Sequence, residues 1–474
     1  MKRLIFILTF LNFFFVTFSQ ADPIFVCQYG FTFEISMQKN WGYQQPVILS
    51  VTPNASAAAA GLCVNDIIET INENPTIGQN IETIFSWLQD SGTQIQMTIS
   101  NLNGSRQHRT FNKICHLNNS LSEKDLASTY SFYSLEDVQT RAFSCPFKTT
   151  VNPDCNLISY NSFDFASPKS NDPEEKTIYA AIQKNLEQKG LIYSEKNPDL
   201  IVQISHSHVP NPNFRNSPQE YKFPVESRYN VQTKSMKKLP IYYNPLIHID
   251  KSKFFLKLNI KLIDNKQKNN SVVWECEANE HLQSDYSLAN YAEFHIPLMF
   301  MQYPYPKSKE TGEYYYSRSK YNYTGIHYNI NNLKEVAEVD PSSPAEKAGI
   351  HAGDIIEKIN GIKFNNNIKS ADRNYKQFIF KTFSLRDSTT QFTNAEGFTR
   401  CMYWDKLKYP QVEEMFKKPE FSTVFSYLFY FEPYINNLTG INIVTFSIKR
   451  YKSNQKEEIK LTPVTVSEEI FQNR

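Results

Sequence analysis

His206-Ser207-His208 sets two imidazoles two residues apart, a spacing that puts both on one face of an extended strand, as metal sites can use. No cysteine or carboxylate partner is evident nearby, so the pair reads as ordinary edge-strand histidines, and neither a metal nor a cofactor is expected. Cys401, in "TRCMYWD", has no histidine partner in view for nucleophilic chemistry. The paired carboxylates Glu174-Glu175 and Glu457-Glu458 read as solvated helix and strand faces. Only 14 glycines serve 474 residues. None of G-x-S-x-G, H-E-x-x-H, D-T-G or G-x-x-x-x-G-K-[ST] occurs. No residue is expected to be catalytic, and the chemistry to look for is recognition.

Composition narrows that recognition. Fifty basic residues stand against forty-eight acidic ones, which leaves no nucleic-acid footprint and no patch for an acidic membrane. An aromatic content of 14% argues for packed cores and against disorder. Met1-Lys2-Arg3, the apolar run Leu4 to Phe18 and the small or polar Ser19, Gln20 and Ala21 have the layout of a signal peptide over about residues 1–20. The other reading is a retained anchor, for which the run is short of the about twenty residues a span needs. Seven cysteines in an exported chain invite disulfides, and the odd count leaves at least one unpaired. Cys27 and Cys115 bracket one repeated unit, and Cys145 and Cys155 would close a short loop. Buried free thiols are the competing reading.

An internal repeat supplies the scaffold for a binding surface. "PNASAAAAGLCVNDIIETIN" (Pro53 to Asn72) returns as "PSSPAEKAGIHAGDIIEKIN" (Pro341 to Asn360). An alternating strand precedes each copy, with Val47, Leu49 and Val51 on one face of the first. Proline stops the strand, and Ser343-Pro344 opens a one-turn helix with a capping serine and a preset first turn. Gly349, like Gly61, suits the left-handed position that ends such a helix, and Asn65 replaces Gly353 at the next turn.

The motif S-P-A-x-x-A-G-I-x-x-G-D-I-I closely resembles the PDZ domain family in its bacterial form. The resemblance implies a short glycine loop whose amides receive a peptide's terminal carboxylate, here Tyr29-Gly30-Phe31-Thr32-Phe33 and Thr324-Gly325-Ile326-His327-Tyr328. It also implies a groove between the following strand and a later helix, in the first copy near Ile81 to Leu88. The peptide-binding residues expected on this basis are Gly30, Phe31, Phe33, Ile84 and Leu88 in the first copy, and Gly325, Ile326 and Tyr328 in the second. The second copy departs from the pattern through a long insertion at about 365–438, including "FSTVFSYLFYF", which either covers the groove or carries a contact surface of its own; its groove helix is not identifiable.

Between the copies, "DPEEKTIYAAIQKNLEQKGLIY" reads as an amphipathic helix, followed by strands "DLIVQISHSH", "KFFLKLNIKLID" and "SVVWECEANEHL". This order looks like family 4136 of domains of unknown function, found in bacterial envelope proteins. "YPYPKSKETGEYYYSRSKYNY" reads as a semi-extended linker whose rings pack on the adjoining domains, with a contact strip for sugar or protein as the alternative. The expected fold is α+β: two PDZ-like, partly open β-barrels with short helices at 24–116 and 323–466, flanking a small α/β sandwich at 155–304, joined by linkers 117–154 and 305–322. The expected function is a non-catalytic cell-envelope protein binding protein or peptide segments, C-termini included, without nucleic acid and without a membrane span once the leader is removed. Alternatives are an accessory or substrate-presenting subunit of an envelope protease, an outer-membrane protein being another candidate partner, and a purely structural protein with closed grooves. The asparagine- and lysine-rich composition and the envelope-family resemblance imply the periplasm or outer-membrane periphery of a Gram-negative bacterium.

Overall fold

Period-two alternation of apolar and polar residues recurs in many segments, and the computed structural model is accordingly built mainly of antiparallel sheets with few short helices. It describes residues 25–473 except 54, 103–105, 130–137, 167–171, 216–224, 243–250, 267–269, 365–372, 375–376, 379, 388–390, 394–398, 402–403, 417, 422 and 429–442. The leader at 1–20 and parts of the insertion therefore lie outside the described residues, as does the side chain of Cys401. The fold is α+β, and among the described residues no sheet closes into a barrel. No described helix is long and apolar enough to cross a membrane.

In the first unit, strands Phe31–Ile35, Pro46–Val51, Ile67–Ile71, Gln94–Ser100 and Arg106–Asn112 lie side by side in that order. Phe31–Ile35 is thus an edge strand. Helix Ile81–Asp90 starts where Asn80 accepts a hydrogen bond from the Thr83 amide at 2.8 Å. Asn65, at φ +73°, occupies the turn that Gly353, at φ +86°, makes in the second copy. Strand Phe25–Gln28 pairs with Ile114–Leu117, and the Cys27–Cys115 disulfide locks that pair. Cys145 and Cys155, paired as one sequence-based option, are separate thiols. The reason is local: Cys145 is buried at the end of strand Val138–Cys145, while the half-buried Cys155 turns its Sγ toward the Asn152 carbonyl at 3.1 Å.

The middle domain places strands 162–165, 200–210, 254–264 and 272–282 in one sheet, with helices Pro173–Gln188 and Leu288–Phe300 packed together. Ile178, Ala181, Ile182 and Leu186 are buried as their stripe predicts, under an Asp172 cap. Buried Arg228 donates to Glu280 at 2.5 Å and to His295 at 2.9 Å, and Tyr291 donates to the same Glu280, so this interior charge is met by a buried carboxylate.

Two stretches expected to be linkers are structural. Phe147–Val151 pairs with Val272–Leu282, extending the middle sheet. The tyrosine-rich stretch is the twelve-residue strand Gly312–Tyr323, central in a three-stranded sheet between Val138–Cys145 and the C-terminal strand Val464–Asn473. Tyr314, Tyr316 and Tyr321 are buried there, and Tyr316 stacks on Tyr229 at 4.2 Å. Trp41, Val47 and Ile67 of the first unit belong to one apolar core with Phe147 and Trp274 of the middle domain.

Candidate functional site

The second unit's groove strand is Ile326–Asn329. Its inner neighbour is Asn332–Val339, and its outer neighbour is Ser120–Leu121, which runs antiparallel with Leu121 opposite Tyr328 and Ser120 opposite Asn329. An extended segment of this chain thus lies where a groove-binding peptide adds as an extra strand. Two residues further on, at the start of helix Glu123–Thr129, the segment delivers a carboxylate to the glycine loop.

That carboxylate is Glu123. Its Oε2 accepts from the amides of Thr324 at 2.6 Å and Gly325 at 3.0 Å. Its Oε1 accepts from the Thr324 hydroxyl and from the Tyr427 phenol at 2.6 Å. Gly325 is what lets the loop do this. At φ +91° it turns its amide inward, and a Cβ there would stand 2.2 Å from Ser343 Cβ, so the capping serine of the next one-turn helix closes in directly against it. Ser343 caps that helix by accepting from the Glu346 amide at 3.2 Å.

The 3-10 turn Val424–Leu428, inside the aromatic block, packs against helix Glu123–Thr129. It supplies Tyr427, whose hydroxyl also meets that of Tyr328 at 2.6 Å. Burial, and then the charge of Glu123, hold both phenols well above their ordinary value, so they stay protonated and can donate. Burial pushes the Glu123 carboxyl up from its ordinary 4.5, while the hydrogen bonds from Thr324, Tyr427 and Gly325 pull the other way and offset part of that push. Leu126 and Ala127 complete the seal as members of the second unit's core.

The first unit carries no counterpart of this plug among the described residues. Gly30, at φ +78°, lies over the one-turn helix Ser56–Ala59, where a Cβ on the glycine would stand only 2.6 Å from Ala55 Cβ. Phe31 is buried beneath, and Phe33 contacts Phe85 of helix Ile81–Asp90 at 5.2 Å. Ile84 and Leu88, expected to line the groove, are fully buried in the unit's core; the side chains of that helix exposed on the groove side are Ile81 and Phe85, at 39% and 45%. The helix buries its Ile84–Leu88 stripe and leaves the next stripe to solvent. Ile326 and Tyr328 are likewise fully buried, Ile326 in the core alone and Tyr328 reaching the plug through its hydroxyl.

Sequence reasoning missed Glu123 and Tyr427. Glu123 sits in a polar tract, "NNSLSEKD", whose only signal is a leucine flanked by turn formers, and its partners lie two hundred or more residues away. His206 and His208 do have carboxylates in space, Glu175 at 3.3 Å and Asp285 at 3.4 Å, but separate ones. The three residues among those described that converge as metal ligands do are His116, His327 and Asp340.

The PDZ domain family matches residues 47–100 and 335–373, and the domain of unknown function DUF4136 matches 147–305. The chain is similar to a PDZ domain protein from Parabacteroides distasonis ATCC 8503 of known crystal structure, at 38% identity over 95% of this chain and 100% of that one, with a TM-score of 0.82. Two structures of a PelC dodecamer from Paraburkholderia phytofirmans share 13% identity over 34% of the chain and 94% and 96% of theirs; their TM-scores of 0.17 carry no argument. No curated protein matches the chain.

Proposed function

Since the chain belongs to the PDZ domain protein family, we propose that it is a non-catalytic interaction scaffold that takes an extended segment of a partner, C-terminal segments included, in the groove of its first PDZ unit. The observation that carries this reading is the seat of Glu123 on the amides of Thr324 and Gly325, because it assigns opposite states to the two grooves. In the second, Ser120–Leu121 takes the place of a ligand strand and Glu123 that of a terminal carboxylate. In the first, Phe31–Ile35 has no outer neighbour among the described residues, and Ile81 and Phe85 present apolar surface beside it. Alternation supports the same face: Glu34 points to the opposite side, where it meets Lys307 at 3.1 Å.

A library of C-terminal peptides titrated against the whole chain tests this. One binding event is expected, lost in Phe85→Asp, and a second is expected to appear in Glu123→Ala. Binding indifferent to Phe85→Asp would contradict the reading. No catalytic family is among the matches, which supports a role in binding. The Cys27–Cys115 disulfide and the leader-like run Leu4 to Phe18 support export, and we read the periplasm or outer-membrane periphery of a Gram-negative bacterium as the location. The plugged second groove favours a structural role for that unit alone. Copurification with an envelope protease would make the scaffold a substrate-presenting subunit.

A further inference from the structure

His116 and His327 arrive from the two PDZ units and meet ring to ring. His116 follows Cys115 on the strand that the disulfide locks, and His327 lies on the second unit's groove strand. The rings stack with centroids 4.1 Å apart. Asp340 closes the group, its Oδ1 2.8 Å from His327 Nε2, and one ligand atom from each of the three lies within 4.8 Å of the others. Around them, Glu338 Oε2 stands 2.9 Å from His116 Nδ1, and Tyr323 donates to Asp340 Oδ2 at 2.6 Å. His327 is largely buried and Tyr323 half-buried, and Glu338 is further tied by the Leu117 amide.

A single divalent ion can take one nitrogen from each ring and an oxygen of Asp340, because the rings are held side by side and one such atom from each residue lies close to the other two. Glu338 and Tyr323 have the positions of the outer hydrogen-bonding groups that orient such ligands. Two imidazoles and a carboxylate suit zinc ahead of calcium or magnesium, with one coordination position left over.

We propose that His116, His327 and Asp340 bind one divalent transition-metal ion, zinc by its donor set, which clips the first PDZ unit to the groove strand of the second. The ion stiffens the plugged groove, because the Asp340 amide donates to the Gly325 carbonyl at 2.8 Å, directly behind the loop that holds Glu123.

The test uses the whole chain without a histidine tag, stripped with chelator and titrated with zinc chloride by calorimetry and with cobalt(II) by visible absorption. One equivalent is expected to bind, with a cobalt d–d band typical of four-coordinate nitrogen and oxygen ligands and a rise in Tm on adding zinc. His116→Gln and Asp340→Asn should each weaken zinc binding by about tenfold or more and abolish the rise, since each removes one of three protein ligands. The double variant His206→Ala/His208→Ala should titrate like wild type. Absence of both stoichiometric zinc uptake and the cobalt band in the wild-type chain would overturn the proposal, whatever the variants do. So would uptake that the His206/His208 variant loses and His116→Gln keeps.

Discussion

Glu123 offers two oxygens to four donors: two backbone amides, a threonine hydroxyl and a tyrosine hydroxyl. Removing it strands those donors in a buried site, where each unpaired group costs about 1–3 kcal/mol before relaxation or water entry. Glu123→Ala is expected to lower the stability of the second unit by roughly 2–4 kcal/mol in denaturant unfolding. Combined with Tyr427→Phe, it should show a coupling of about 1 kcal/mol; additive losses would mean that the phenol and the carboxylate do not share a hydrogen bond. Gly325 is the wrong residue to probe, because any side chain there collides with Ser343 and unfolding would mimic lost recognition. In the first unit, burial lifts Asp66 from 3.8 to about 6, with the Cys63 amide and Arg109 offsetting only part. The folded chain then holds that proton more tightly than the unfolded one. The stability it contributes is complete below the unfolded value and is lost as pH rises through about 6. Asp66→Asn should therefore gain on wild type by up to about 3 kcal/mol as pH rises from about 4 to 7, followed by unfolding at each pH; a constant difference would contradict it.

The helix Ile81–Asp90 buries Ile84 and Leu88 and leaves Ile81 and Phe85 exposed, so the proposed reading assigns packing to one stripe and recognition to the other. Leu88 is fully buried, and Leu88→Ala is expected to cost about 2–4 kcal/mol in unfolding experiments. Phe85→Ala, half-exposed against Phe33, should cost under about 1.5 kcal/mol while weakening peptide binding by about tenfold. If Leu88→Ala abolished binding without loss of stability, the two faces would be misassigned. Local chemistry made much of the fold legible in sequence. The Ser343-Pro344 cap, the left-handed Gly61 and Gly349, and the stripe Ile178, Ala181, Ile182 and Leu186 all depend on neighbours within a few residues. What stayed hidden depends on distant neighbours. "YYYSRSKYNY" alternates as a strand does, but its partners, Val138–Cys145 and Val464–Asn473, lie far from it in the chain on either side. The 3-10 turn that supplies Tyr427 is likewise too short to leave a helical period in the sequence.

At the scale of the whole molecule, the two PDZ units are not beads on linkers. The first shares an apolar core with the middle domain, the C-terminal strand returns to pair with Gly312–Tyr323, and the segment after the first unit ends in the second unit's groove. The Cys27–Cys115 disulfide closes a loop of 88 residues at the base of this assembly. Its removal by Cys27→Ser/Cys115→Ser is expected to cost about 3–5 kcal/mol, measured as the shift in unfolding midpoint against the oxidised chain; an unchanged midpoint would mean the strand pair holds without it. Such a chain uses one PDZ unit to fasten its own parts, and the proposed function leaves the other for a partner. Amide hydrogen exchange of the whole chain, resolved at Thr324 and Gly325 and compared with Gly30 and Phe31, reads that fastening at the loop that holds Glu123. Strong protection at Thr324 and Gly325, lost in Glu123→Ala while the second unit's strands stay protected, is the predicted result. Exchange at Gly325 as fast as at Gly30 in the wild-type chain would contradict it, and the second groove would then be open.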